Sequence, residues 1–328
     1  MRTLMTSLPL IRRTALALLV LPTLGHAAGF GVTIENDSPL GEDNQYTSGV
    51  YAHWHSDWSD DVNTTSVAPI RWFAEQLPLN PEARQAWSLD IGQMMWTPND
   101  ITFTTPQPNE RPYAGLIFIE PSMYQQTPER VDKWSVLFGI VGPASLTEQG
   151  QSYVHKLIDS PDPKGWDYQV RNTPVAQFAY ERHQLLHRSE YQEWGVSGRA
   201  DIGNFRSEVS AGLSYRIGLD LANSYGGISF EPGRHLDSRM FDASTQGAFF
   251  YTAVQGRYRA NDITINGDKP PENADIDMTH WQASAAAGFA YYQPRWGTDV
   301  SVALHSKDYQ QATDDTYSYV SWTVHYRY

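Results

Sequence analysis

The sequence predicts an all-β fold, a single transmembrane antiparallel β-barrel of about twelve strands with a short helix in an outer loop. Three observations predict it. Alternation of apolar and polar residues with a period of two recurs from end to end, and no long stretch after the first thirty or so residues sustains a helical period. The 11 Trp and 19 Tyr, against 12 Phe, favour the two rings that settle at a membrane interface. The opening residues have the order of an export leader.

Residues 1–27 place Arg2 and Arg12-Arg13 ahead of an apolar stretch at 15–24, followed by Gly25-His26-Ala27-Ala28. Basic, apolar and small residues in that order make a secretory signal peptide, with an apolar part too short to cross a bilayer as a helix. The mature chain is expected to begin near Ala28 and to form one barrel over residues 28–328. No twin-arginine pattern follows Arg12-Arg13, so export of an unfolded chain is expected.

Candidate strands lie at 29–37, 44–56, 86–96, 111–126, 132–141, 172–184, 190–203, 206–219, 247–258, 279–292, 296–307 and 317–328. The last is the plainest. Val320, Trp322, Val324, Tyr326 and Tyr328 share one face, and Ser321, Thr323, His325 and Arg327 the other, as a lipid-facing strand around a wet lumen requires. As an edge of a soluble sandwich the same aromatic strand would invite aggregation. The even count fits single-chain bacterial barrels. Between strands two and three the connection at 59–85 is long for a periplasmic turn, and its Trp72-Phe73-Ala74-Glu75-Gln76-Leu77 suits a short amphipathic helix at the membrane surface.

Composition removes several function classes. A net charge of −13 argues against a nucleic-acid surface and leaves room for a bound cation. With no cysteine there is neither disulfide nor thiol chemistry. A mean hydropathy of −0.49 excludes a helical membrane protein but not a barrel, in which every second strand residue meets lipid.

In such a barrel both termini lie on the periplasmic side. Strand one then runs outward and delivers Glu35-Asn36-Asp37 to the outer rim, and strand two starts back at Gln45-Tyr46-Thr47, so Thr47 faces Asp37 across the first outer loop. The third outer loop, 142–172, holds SLTEQGQSYVHKLI at 145–158, where a Ser or Thr before Glu148 reads as an N-cap and Asp159-Ser160-Pro161 as the stop. On that helix Gln151 and His155 share a face, with Glu148 one turn back. His155 is thereby expected on the same side of the membrane as Asp37 and Thr47.

IENDS at 34–38, YTSG at 46–49, ERPYAG at 110–115, GIVGPASLTEQGQSYVH at 139–155 and PKGWDYQVRN at 163–172 together resemble the outer-membrane lipid A 3′-O-deacylases. The likeness runs through the first half of the mature chain, and the second half carries little beyond strand pattern. The resemblance implies a twelve-stranded barrel in the outer membrane whose site lies at the extracellular side, between the wall and an outer-loop helix. It implies His155 as catalytic base, with Asn36, Asp37, Thr47 and Gln151 around it, and calcium as cofactor. The implied partners are lipopolysaccharide as substrate and outer-membrane lipid; no nucleic-acid partner is expected from the charge, and the chain is expected to be a monomer.

The chemistry is consistent with these residue types. Ester hydrolysis needs a base that takes a proton from water near neutral pH, and imidazole suits that. A hard cation held by oxygen ligands would answer the charge that develops on the carbonyl oxygen. Asp37 with Thr47 is the expected metal pair, although Asp37 could instead orient the imidazole. Gln151 and Asn36 join His155 as catalytic candidates that complete coordination or hold water. No serine sits in a nucleophile elbow, which favours attack by water. Simpler readings stand beside these: Asn36 and Asp37 as turn formers, Trp166 as a headgroup-level anchor, Glu110-Arg111 as a rim ion pair or Arg111 as a lipid-phosphate ligand. The rival functions are a serine-based outer-membrane phospholipase and a non-catalytic porin or adhesin. A soluble periplasmic β-protein is the remaining alternative to the barrel.

Overall fold

The computed structural model describes residues 27–40, 45–65, 67–224, 226–237 and 245–328, so the expected leader, apart from Ala27, lies outside the described residues. Twelve strands form one closed antiparallel ring: β1 (Gly29–Asn36), β2 (Gln45–His55), β3 (Arg84–Thr97), β4 (Ala114–Thr127), β5 (Arg130–Val141), β6 (Thr173–Arg188), β7 (Gln192–Gly203), β8 (Arg206–Gly218), β9 (Gly247–Asp262), β10 (Trp281–Tyr292), β11 (Trp296–Ser306) and β12 (Thr316–Arg327). Each pairs with its neighbours in sequence, and β1 closes on β12 with Gly29 opposite Arg327 and Asn36 opposite Val320. The twelve candidate strands are all present. No described helix is long and apolar enough to cross a membrane.

The alternation reads directly as two faces. In β12, Tyr317, Tyr319, Ser321, Thr323 and His325 are buried inside, while Trp322, Val324 and Tyr326 are exposed outside. In β1, Val32 and Ile34 point out, whereas Thr33 and Glu35 point in, where Thr33 Oγ1 meets Thr323 Oγ1 at 2.8 Å across the closing seam. Exposed Trp194, Trp281, Trp296 and Trp322 account for part of the aromatic excess.

The expected wet lumen is instead filled. The β8–β9 connection sends residues 226–237 inside, where the Gly233 N–H donates to Glu35 Oε1 at 2.7 Å and Arg234 pairs with Glu120 and, at 3.6 Å, with Asp90. His235 lies 2.8 Å from Ser301 Oγ and 3.1 Å from the Tyr319 hydroxyl. Charged loop residues ordinarily read as solvent-facing; here the polar inner face of the strands supplies their partners.

The 59–85 connection contains α1 (Ala68–Glu75), with Pro69 in its first turn. Ile70 and Ala74 pack with the outward-facing Trp87, Leu89 and Met123, so α1 clamps the outside of β3 and β4 at the end that carries the termini. Trp72 remains 65% exposed on the opposite face, as an interfacial helix requires.

Candidate active site

At the end opposite the termini, the β5–β6 connection folds back over the outside of the wall. A 3-10 turn (Pro143–Ser145) leads into α2 (Thr147–Ile158). The expected Ser/Thr cap is absent. Leu146 takes the N-cap position in a left-handed conformation (φ 60°), with no side-chain cap, and Thr147 is already helical. The Thr147 hydroxyl bonds Ser145 Oγ at 2.7 Å, a local contact available because the preceding turn brings both hydroxyls together. The expected stop is present: Asp159 is left-handed (φ 55°) and the Ser160 N–H donates to the His155 carbonyl at 2.9 Å.

Two glycines make the close approach possible. A Cβ on Gly115 would lie 2.2 Å from Thr147 Oγ1 and 2.4 Å from Ser145 Oγ, so only glycine lets the turn lie flat on β4. Gly142 has φ +105° and its N–H donates to the Gly115 carbonyl at 2.9 Å, which reverses the chain onto the wall. Gln93, pointing out from β3, donates through Nε2 to the Ser145 carbonyl at 2.7 Å.

Between α2 and the outward faces of β1, β2 and β3 lies a cleft of about 290 Å³. Asn36, Thr47, Gln151 and His155 all line it, beside the apolar Val50 and Met95. Asp37 does not line it but is fully buried in the adjoining turn, where its N–H donates to the Thr47 carbonyl at 3.1 Å. Thr47 reaches the outside through a break in register between Tyr46 and Ser48, an extra residue that re-aims the side chain. Tyr46 stays inside with its hydroxyl on Glu35 at 2.6 Å, while Thr47 Oγ1 bonds Thr97 Oγ1 at 2.7 Å. Asn36 accepts the Ser38 N–H at 2.9 Å, so it is a turn former as well as a cleft residue. Glu148 takes no part in the cleft lining.

His155 is held by the turn that ends its own helix: Nδ1 lies 2.6 Å from the Pro161 carbonyl oxygen. A carbonyl oxygen only accepts, so Nδ1 carries the hydrogen, and in the neutral ring Nε2 keeps the lone pair. A backbone carbonyl thus fixes the orientation of the ring.

Several residues stand where the sequence did not place them. Trp166 is no headgroup anchor; it is 2% exposed, packs against Tyr113 with tilted rings and centroids 4.8 Å apart, and donates its indole N–H to Gln151 Oε1 at 2.8 Å. GWDYQ was the only signal for it. Arg111 is neither a rim ion-pair partner of Glu110 nor free for a phosphate. It is buried, donates to Thr264 Oγ1 at 2.8 Å and lies 3.5 Å from Asp308, while Glu110 accepts from Tyr309 at 3.0 Å.

For a metal, the cleft end of β1 and β2 offers oxygen donors only: the Asp37 carboxylate, the Asn36 amide oxygen and the Thr47 hydroxyl, a set suited to a hard cation. Elsewhere, Asp201, Glu208 and Glu231 have carboxylate oxygens within 4.8 Å of one another, close enough to share an ion. That group is answered by arginine, with Arg199 at 2.7 Å from Asp201 and 3.5 Å from Glu231, and Arg259 at 2.7 Å from Glu208.

The comparisons with known proteins agree with this architecture. No curated protein matches the chain. Among solved structures, LpxR from Salmonella typhimurium superposes with a TM-score of 0.77 at 13% identity, over 92% of this chain and 100% of that one. The β domain of the Bordetella autotransporter BrkA (TM-score 0.45, 9% identity, 92% and 99% covered) and the KdgM porin (0.38, 5%, 92% and 99%) are too distant to carry any argument. The sequence profile of the family described as outer membrane protein LpxR matches residues 13–328. With that match across nearly all its length, the chain belongs to the LpxR family of outer membrane proteins.

Proposed function

We propose that the chain is an outer-membrane lipid A deacylase, a carboxylic ester hydrolase that removes the 3′-acyloxyacyl group by attack of water with His155 as base. The observation that carries this reading is the Pro161 carbonyl on His155 Nδ1, which leaves the basic nitrogen available beside a cleft on the outer wall of the barrel. A soluble substrate would be served by a lumen or a mouth; a cleft between the wall and α2 serves a molecule that lies in the membrane alongside it. By the strand parity this end is extracellular, where lipopolysaccharide resides.

His155 Nε2 takes a proton from water as its oxygen bonds to the ester carbonyl carbon. The tetrahedral intermediate then expels the sugar alkoxide, which takes the proton back from the imidazolium, and the fatty acid leaves as its acid. Calcium, which the family resemblance implies, would be held by Asp37 with Asn36 and Thr47 and would supply positive charge for the developing oxyanion. Apolar Val50 and Met95 favour the acyl chain and keep the ester dry. The filled lumen speaks against the porin reading.

Release of fatty acid from purified lipopolysaccharide, assayed with calcium and with excess chelator, tests the proposal. Activity abolished by chelation, restored by calcium and accompanied by no serine labelled by a covalent inhibitor supports it. Full activity in excess chelator removes the ion from the mechanism, and labelling of Ser38 or Ser48, which also line the cleft, would favour the phospholipase-like alternative.

A further inference from the structure

Gln151 is 2% exposed and lines the cleft, yet only one half of its amide is bonded. The indole N–H of Trp166 is 2.8 Å from Oε1. Indole N–H donates and never accepts, so the atom facing it is the amide oxygen, and this contact fixes the orientation of the amide. The consequence lies on the other side of the amide. Nε2 is buried with no hydrogen-bond partner among the described residues, although nearly every buried donor in a folded protein has one.

Trp166 itself has little freedom. Its ring packs on Tyr113 with centroids 4.8 Å apart, and the Tyr113 hydroxyl donates to the Ile101 carbonyl at 3.3 Å. The Trp166 carbonyl accepts Gln169 Nε2 at 3.0 Å, and the Tyr113 carbonyl accepts the Val170 N–H at 2.9 Å. Loop, ring and amide therefore form one chain of fixed contacts ending at two unsatisfied amide hydrogens one helical turn from His155. A donor held in place and shielded from bulk water suits a developing negative oxygen, because it needs no reorganisation when the charge appears.

We propose that Trp166 is a positioning residue that locks the Gln151 amide with its oxygen on the indole and its Nε2 hydrogens presented to the cleft, where they donate to the carbonyl oxygen of the scissile ester. The donor role rests on the deacylase reading; the lock does not.

The test uses the full mature chain in detergent micelles with calcium, with folding checked by heat-modifiable migration. In protein carrying ¹⁵N-labelled tryptophan, the Trp166 indole resonance is identified by its loss in Trp166→Phe. Gln151→Met is expected to move it toward the position of an unbonded indole and to speed its hydrogen exchange, whereas Gln151→Glu, which keeps an acceptor, leaves the bond in place. An indole resonance unchanged by Gln151→Met overturns the lock. On lipid A, Gln151→Met and Gln151→Glu are expected to lower kcat on the order of 10²-fold, as loss of one oxyanion donor does. Trp166→Phe lowers kcat by about tenfold with KM little changed, because the freed amide still spends part of its time in the productive orientation. The Trp166→Phe, Gln151→Met double variant is no slower than Gln151→Met alone, since Trp166 acts only through Gln151. Losses that multiply, or a Trp166→Phe effect confined to KM, overturn the positioning role. If the wild type releases no fatty acid, the deacylase reading fails and the donor role falls with it, while the indole resonance still decides the lock.

Discussion

Single atoms decide what the cleft residues can do. The Pro161 carbonyl turns His155 from a loop histidine, a residue type ordinarily inert, into an oriented imidazole with one defined basic nitrogen. At Thr47, one extra residue in β2 carries a hydroxyl to the outside of the wall while its neighbour Tyr46 stays inside on Glu35. Asp37 is the carboxylate of the proposed metal set and is fully buried in the turn that joins those strands. Asp37→Ala should therefore behave like chelation. The expected outcome is a folded, heat-modifiable barrel whose deacylation falls on the order of 10²-fold or more and no longer responds to added calcium. Calcium titration of wild type and variant checks this, and a variant that retains a full calcium response would assign the metal to other ligands.

The cleft exists because α2 lies against the outward face of β3 and β4. That contact depends on Gly115, whose missing side chain leaves room for Ser145 and Thr147. Gly115→Val should lift the start of α2 from the wall without disturbing strand pairing, because the added atoms project outward. A displacement on the scale of 1 Å commonly costs on the order of 10²-fold in rate. Fatty-acid release should fall by that order while heat-modifiable migration is unchanged; a fully active variant would mean that the α2–wall contact does not set the geometry. The strands were legible from their alternation, and strand parity alone put Asp37, Thr47 and His155 at one end. The contacts at the joins between elements were not. Leu146 in a left-handed cap, the extra residue at Thr47 and the Trp166–Gln151 bond depend on backbone turns and partners distant in sequence, for which period and propensity carry no signal.

Across the whole molecule, the barrel's outer surface and its lumen have separate tasks. The wall carries the cleft outside, and the lumen is closed by residues 226–237, held through Gly233, Arg234 and His235. A lumen so occupied should give no steady conductance in planar bilayers, and a stable porin-like step would contradict the filled interior. Nothing in the sequence singled out Arg234 or His235, since a loop's charges say nothing of the barrel it enters; β12, by contrast, announced both its faces. The central claim is that the outer-wall cleft hydrolyses an ester of lipid A with His155 as base. Mass spectrometry of lipid A incubated with purified wild type and with His155→Ala tests it most directly. The expected result is loss of the mass of the 3′-acyloxyacyl group with wild type, and a rate lower by about 10²–10⁴-fold with His155→Ala in an intact barrel. Unaltered lipid A with wild type in calcium, or near-normal deacylation by His155→Ala, would contradict it.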